Sequence, residues 1–114
     1  MRTLIVALGL AAAALPARAE TIAPTDAKAH AGQTVTIQAA VEDVKTGRAG
    51  VTFLDMGGTF PDNAFAAVIF ASDRAKFPNL GTLKGKTVAI SGPVVLYQGK
   101  PEIILKTADQ LKAD

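Results

Sequence analysis

Residues 33–44 have an alternating pattern in which apolar side chains recur at every second position. Val35, Ile37, Ala39 and Val41 fall at every second position, and threonine, glutamine, alanine and glutamate occupy the positions between them. Because successive side chains of a strand point to opposite faces, this period of two predicts a half-buried β-strand. The sequence therefore begins its ordered part with an amphipathic strand.

The rest of the chain predicts four further strands. Glycines in the segment 45–50 predict a hairpin loop, and Pro61 marks a turn before an unbroken apolar run. Ser72 is a candidate cap for one short helix, which Pro78 would end. Gly92-Pro93 predicts a bend inside the fourth strand. The predicted strands after the first are residues 51–56, 64–70, 87–97 with that bend, and 102–106.

The first nineteen residues have the pattern of a secretory signal. Arg2 is followed by an apolar run over residues 4–15 and by the small-residue pattern Ala17-Arg18-Ala19. The run is shorter than the roughly 20 apolar residues that a membrane span needs. We expect cleavage after Ala19, a periplasmic or secreted protein, and no stable membrane span afterwards. Residues 20–32 are expected to be a lead-in segment, 33–107 the folded barrel and 108–114 a polar tail.

Removal of the signal changes the charge of the chain. The 12 basic residues lose Arg2 and Arg18 and then match the 10 acidic residues, so the predicted mature chain is formally neutral. Its basic residues concentrate in the segment 73–106, which leaves room for a local positive surface. The chain has no cysteine, which excludes a disulfide and a thiolate metal site.

Five short segments follow one another in a fixed order. They are GVTFLD at 50–55, FAAVI at 65–69, LKGKTV at 83–88, SG at 91–92 and GKPEIIL at 99–105. Together with the order of strands and the glycine-bearing first hairpin, they resemble the OB-fold family of nucleic-acid-binding domains. Relatives include the anticodon-binding domains of aminoacyl-tRNA synthetases and OB modules of secreted nucleases. The resemblance covers about residues 33–107 and implies an all-β, five-stranded OB-fold Greek-key barrel with one small helix.

The same resemblance implies a binding face. In OB-folds, the loop joining the first two strands and the loop joining the last two flank the ligand, and here they carry cations and an amide. Two aromatic residues in or near loops are candidates for stacking on bases, a contribution of about 1–3 kcal/mol per base. The candidate nucleic-acid-binding residues are Lys45, Arg48, Phe60, Tyr97, Gln98 and Lys100.

The remaining aromatic residues are predicted to be structural. Phe53, Phe65 and Phe70 lie in apolar strand segments and are expected in the core, whereas Phe77 is expected to anchor the short helix. His30 precedes the barrel and has no obvious catalytic partner. Asp55 is interpreted as a turn residue that caps its own backbone.

We therefore expect no enzyme activity, no cofactor and no metal site. Three binding functions remain open. The first is weak, sequence-tolerant binding of single-stranded nucleic acid, which the resemblance and the candidate cations favour. The second is a non-catalytic protein-interaction or scaffold barrel in the cell envelope, favoured by the neutral charge and predicted export. The third is oligosaccharide binding, which the absence of tryptophan disfavours.

Overall fold

A computed structural model describes residues 19–113, which form eight β-strands and five short 3-10 helices. The strands are β1 (Glu20–Ile22), β2 (Thr34–Thr46), β3 (Thr52–Met56), β4 (Phe65–Ile69), β5 (Thr87–Pro93), β6 (Val95–Tyr97), β7 (Lys100–Ile104) and β8 (Leu111–Ala113). The helices are Pro24–His30, Arg48–Gly50, Ala71–Lys76, Leu80–Thr82 and Ala108–Gln110.

The strands form one sheet in the order β6-β7-β4-β3-β2-β5-β8, with β1 alongside β2. Neighbours are antiparallel except for the β4/β7 and β1/β2 pairs. The predicted all-β class is confirmed, and the arrangement is consistent with an OB-like fold. The structure has eight strands instead of the predicted five, and its hydrogen-bonded path does not close into a barrel. Val94 alone separates β5 from β6, so the predicted bent strand is present as two pieces.

Strand β2 confirms the predicted alternation. Val35, Ile37 and Val41 are at most 1% exposed, and Ala39 packs against the same core. The strand extends beyond the predicted end at residue 44, and its register against β3 shifts between Val41 and Asp43. Such a bulge increases local twist and bends the strand, which then carries its last residues over β3.

Strands β3, β4 and β7 also contribute one face to the core. Leu54 pairs with Ala67 and Met56 pairs with Phe65, and all four are at most 1% exposed. Full burial of each large apolar side chain contributes about 1.5–3 kcal/mol. Phe65 is in the core as predicted.

The other phenylalanine residues of the strands and short helices differ in their burial. Phe77 is 5% exposed and joins the core cluster beside the short helices, as predicted. The core prediction for Phe70 is wrong: it is 39% exposed, because it follows the end of β4 instead of lying within it. Phe53 is only partly buried, on the opposite face of β3 from Leu54.

The two terminal segments form more structure than their sequences indicate. Residues 20–32 include β1, which pairs with β2, and a 3-10 helix with buried Pro24 and Ala27. Strand β8 pairs with β5, where Leu111 lies opposite Ile90. Gln110 supports this pairing, since its Nε2 donates to the Ser91 carbonyl at 3.0 Å. These contacts join residues far apart in sequence, so no local hydrophobic pattern predicts them.

The linking helix differs from its predicted form. It is a 3-10 helix that begins at Ala71 with Phe70 at the cap position, and Ser72 makes no capping hydrogen bond. Asp73 lies in its first turn, as predicted. The predicted signal, apart from Ala19, lies outside the described residues. None of the helices between residues 19 and 113 has the length and hydropathy that a membrane span requires.

Replacement of Gly92 by alanine is expected to destabilise the protein by about 2 kcal/mol. Gly92 has a φ of +152°, and an added methyl carbon would lie 2.8 Å from Cγ2 of Ile103, which is fully buried. Urea unfolding would measure the loss. Gly81→Ala is the control, because no atom lies within 4 Å of the new methyl carbon there. Equal stability of the two variants would contradict the packing argument.

Candidate binding cleft

A cleft of about 660 Å³ lies over the outer face of the sheet. Phe53 and Ala66 contribute apolar floor from β3 and β4, and Glu102 contributes a carboxyl group from β7. One wall comes from the end of β2 and Gly47, and the other from the hairpin that joins β6 to β7. The cleft therefore lies between the two loops that the OB resemblance indicates.

The alternation of the strands determines which side chains reach the cleft. In β3, Leu54 and Met56 point into the core, so Phe53 and Asp55 point to the outer face. Ala66 pairs with Asp55 on one side and with Glu102 on the other. Two carboxyl-bearing residues thus lie in one row across three strands, with a small alanine between them.

Both flanking loops contain a non-glycine residue with a left-handed backbone. Ala49 has a φ of 61° and Gln98 a φ of 51°, and no other non-glycine residue between 19 and 113 has a positive φ. Gln98 and Gly99 form the two-residue turn of the β6-β7 hairpin, and both have positive φ, as a type I′ turn requires. Such strained residues concentrate at functional sites.

Five of the six candidate residues converge on the cleft. Lys45 reaches it from the end of β2, and Phe60 reaches it from the loop between β3 and β4. Tyr97, Gln98 and Lys100 reach it from the β6-β7 hairpin. Arg48 lies in the first loop and is exposed, but it does not line the cleft. The structure therefore brings together the two predicted loops but leaves out one of the predicted cations.

Both cleft lysines already have partners. Lys45 Nζ lies 3.1 Å from Asp55 Oδ2 and 4.4 Å from the centre of the Phe60 ring. Lys100 Nζ donates to Asn63 Oδ1 at 3.2 Å and to the backbone carbonyls of Asn63 and Pro61. Both ammonium groups thus already have oxygen partners within the protein, and that of Lys45 is paired with a carboxylate.

Asp55 and Asn63 form a buried polar centre that the sequence analysis missed. Asp55 is 2% exposed and Asn63 is 6% exposed. The interpretation of Asp55 as a turn residue is wrong, because it lies within β3 and faces the cleft. Its position was available from the predicted strand 51–56, where it shares a face with Phe53. Asn63 lies in a predicted turn, where no alternating pattern indicates which side chains are buried.

Both oxygens of the Asp55 carboxylate have partners. Asn63 Nδ2 lies 3.5 Å from Oδ1, at the outer limit of a hydrogen bond. Lys45 Nζ lies 3.1 Å from the buried Oδ2 and forms an ion pair with it. The buried carboxylate therefore holds Lys45 at the edge of the cleft.

Glu102 is the second carboxyl group of the cleft. It is half-buried, and burial raises its pKa above the ordinary value of 4.5. The desolvated surroundings disfavour the charged form, and no described residue donates a hydrogen bond to it. Glu102 therefore adds a partly exposed hydrogen-bond acceptor to the cleft.

Two aromatic rings lie at the mouth of the cleft. Phe60 is 66% exposed and Tyr97 is 60% exposed. The Phe60 ring is contacted by Lys45, and Lys100 Nζ lies 5.7 Å from its centre. No cation lies over Tyr97 in the described part of the chain, so its face is open to a planar ligand.

Other titratable residues give no competing site. His30 lies outside the cleft, with Nε2 3.7 Å from Glu20 Oε1 and Nδ1 3.1 Å from the Asp26 carbonyl oxygen. Within residues 19–113, no group of three or more histidine, aspartate or glutamate side chains is arranged to hold a metal ion.

Comparison with solved structures shows the fold. An asparaginyl-tRNA synthetase from Entamoeba histolytica, solved with asparaginyl-adenylate, matches 84% of this chain with a TM-score of 0.56 and 17% identity. A protein assigned as an aspartyl-tRNA synthetase from Leishmania major Friedlin matches 88% of it with a TM-score of 0.56 and 11% identity. The aspartyl-tRNA synthetase of Entamoeba histolytica matches 75% with a TM-score of 0.50 and 18% identity.

The matched regions are small parts of those enzymes. The chain covers 24%, 21% and 19% of the three synthetase chains, respectively. No protein-family model and no curated protein matches the sequence. The similarities therefore establish a shared fold with a segment of synthetase chains, in agreement with the OB-like architecture.

Replacement of Glu102 by glutamine is expected to change the pH dependence of stability. Because the folded protein raises the pKa of Glu102 above 4.5, protonation favours the folded state, and the wild type loses stability as pH rises above that value. Glutamine cannot ionise and escapes this loss. Urea unfolding from about pH 4 to about pH 7 should show the variant gaining on the wild type. A difference that is constant with pH would contradict the desolvation argument.

Replacement of Gln98 by asparagine is expected to stabilise the protein by about 0.5 kcal/mol. Asparagine tolerates the left-handed backbone that Gln98 adopts, and it is favoured in type I′ turns. Chemical unfolding would measure the gain. Gln38→Asn in strand β2 is the matched control, since asparagine is unfavourable in a strand. Stabilisation at both sites, or at neither, would contradict the turn argument.

Proposed function

We propose that this protein is an exported OB-type binding module whose cleft binds single-stranded nucleic acid weakly and with broad sequence tolerance. The observation that carries the proposal is the open ring of Tyr97, 60% exposed at the mouth of the cleft. Stacking on an aromatic ring contributes about 1–3 kcal/mol per base and accepts any base. The signal pattern of residues 1–19 supports export.

The position of the cleft supports this choice of ligand. OB-folds bind oligonucleotides on the sheet face between the first and last hairpin loops, and the cleft occupies the corresponding place. The solved structures with a similar fold are of tRNA synthetases, whose names state a nucleic acid as a substrate.

The charges of the cleft set the strength of binding. Lys45 and Lys100 are balanced by Asp55 and Glu102, so the cleft has no formal net charge. Each lysine must also exchange an existing partner for a phosphate. The electrostatic contribution that dominates most nucleic-acid binding is therefore small, and stacking carries the larger share.

Protein interaction is the second candidate function. Strand β6 lies at one end of the sheet and exposes Val95 by 39% and Leu96 by 48%. An exposed apolar strand at a sheet edge is a common place for a partner protein to bind. Recovery of a stoichiometric envelope protein with the purified module, unaffected by nuclease, would favour this function.

Replacement of Tyr97 by leucine is expected to weaken binding to single-stranded DNA about fivefold to a hundredfold, because the stacking surface is lost. A fluorescein-labelled oligothymidine of about eight nucleotides, titrated at low salt, would measure the change. Phe70→Leu is the matched control, since Phe70 is 39% exposed but does not line the cleft. Equal loss in the two variants would contradict the role of Tyr97. No binding by the wild type would refute the proposed function.

The salt dependence of the same titration is expected to be shallow. If both cleft lysines contact phosphates, the slope of log K against log salt should be about −1.4, from roughly −0.7 per contact. A slope near −3 would require about four phosphate contacts and would place the binding surface outside the charge-balanced cleft.

A further inference from the structure

The ammonium group of Lys100 joins two loops that border the cleft. Lys100 follows the turn of the β6-β7 hairpin, and its Nζ reaches the loop between β3 and β4. There it donates to the carbonyl oxygen of Pro61, and to the carbonyl oxygen and Oδ1 of Asn63 at 3.3 and 3.2 Å. An ammonium group has three N–H donors and no acceptor. Three donors therefore meet three oxygens of one loop, and none is left for a ligand.

The buried oxygen of Asn63 depends on this contact. Asn63 is 6% exposed, and its Nδ2 donates to the Phe65 carbonyl oxygen at 3.1 Å. Its Oδ1 accepts no other hydrogen bond from residues 19–113. A phosphate that drew the Lys100 ammonium away would leave a buried acceptor unsatisfied, which is costly. Lys45 differs, because it is 39% exposed and has a single carboxylate partner.

Phe60 is the cleft residue that the Lys100 contact positions. It immediately precedes Pro61, whose carbonyl oxygen accepts from Lys100, and it is 66% exposed at the mouth of the cleft. Because most of the ring surface is in solvent, packing holds the ring only weakly. The attachment of its neighbouring backbone to the hairpin therefore keeps Phe60 beside the cleft.

We propose that Lys100 is a positioning residue, which holds Phe60 in place as a second stacking ring for single-stranded nucleic acid and makes no contact with phosphate. This inference rests on the proposed function and deepens it. Tyr97, the first ring, pairs with Lys100 across the hairpin. One strand pair thus carries the first ring directly and positions the second ring through the ammonium group. Lys45 remains as the cleft lysine that can meet a phosphate.

The salt dependence of binding separates this role from a phosphate contact. With Lys45 as the cleft contact to phosphate, log K for an eight-nucleotide oligothymidine should fall against log salt with a slope of about −0.7. Lys100→Met should weaken binding at low salt by about fivefold or more and leave the slope unchanged, because it displaces a stacking ring. A wild-type slope near −1.4 that falls to about −0.7 in Lys100→Met would overturn the inference.

A matched control accounts for the lost charge. Lys86→Met removes a lysine that is exposed and does not line the cleft. It should bind oligothymidine as the wild type does. Equal loss of affinity in Lys86→Met and Lys100→Met would overturn the inference, because net charge alone would then explain both.

Replacement of Lys100 by arginine tests the geometry while the charge is kept. Arginine contacts phosphate at least as well as lysine, so a phosphate-binding residue at this position would tolerate the change. A planar guanidinium carries its donors on three separate nitrogens and does not direct them at three oxygens gathered around one atom. We expect Lys100→Arg to weaken binding about as much as Lys100→Met does. Wild-type affinity in Lys100→Arg would overturn the inference, and this test holds even if Lys100→Met fails to fold.

A double-mutant cycle shows whether Lys100 acts through the ring. Phe60→Leu should weaken binding by about fivefold or more. Addition of Lys100→Met to Phe60→Leu should weaken it little further, because the ring that Lys100 positions is already absent. Losses that multiply would indicate an independent contact of Lys100 and would overturn the inference.

Failure of this inference is distinguishable from failure of the proposed function. If Tyr97→Leu weakens binding and Phe60→Leu does not, the cleft binds nucleic acid through one ring, so the proposed function stands and the inference is overturned. Absence of binding by the wild type would refute the proposed function and, with it, this inference.

Discussion

Strands β3, β4 and β7 have the core on one face and the cleft on the other, and the site depends on this constraint. Leu54, Ala67 and Ile103 lie side by side on the core face and are fully buried. Because side chains alternate, their neighbours Asp55, Ala66 and Glu102 must lie side by side on the other face. A slip of one residue in any of the three strands would move its core residues to the cleft face and its cleft residues into the core. The packing of the core therefore fixes the floor of the cleft.

The electrostatics of the cleft differ from those of a strongly basic nucleic-acid-binding surface. The ion pair between Lys45 and Asp55 and the three oxygens around Lys100 satisfy the cations before any ligand arrives. This ion pair, in which Asp55 is buried and Lys45 is 39% exposed, contributes little to stability, because desolvation of the carboxylate offsets the attraction between the charges. It does hold Lys45 beside Phe60 and so shapes the mouth of the cleft. The site is organised for stacking and hydrogen bonding more than for attraction of phosphates.

Backbone strain is concentrated around the same cleft. Ala49 and Gln98 adopt left-handed conformations in the two flanking loops, where glycine or asparagine would cost less. Both loops also contain glycine with positive φ, Gly50 and Gly99. The strands beneath them show no such outlier, apart from Gly92 at the bend of β5. The strands thus support two loops that each contain one strained residue, and both loops border the cleft.

The sequence by itself determined the strand-rich class, the alternation of β2, the bend at Gly92-Pro93 and the two loops that flank the cleft. These follow from local periods and turn residues, which physical chemistry ties to neighbouring positions in the chain. Asp55 was within reach of the same reasoning, because it shares a face with Phe53 in a predicted strand.

Only the tertiary structure decided the pairing of β1 and β8, the buried position of Asn63 and the balance of charge in the cleft. Each depends on contacts between distant segments, such as Lys100 with Asn63 or Gln110 with Ser91. A periodic pattern reports which face of a strand is apolar, but it does not report which side chain from another segment will meet that face. The partners of Lys45 and Lys100 therefore became known only when the strands were brought together.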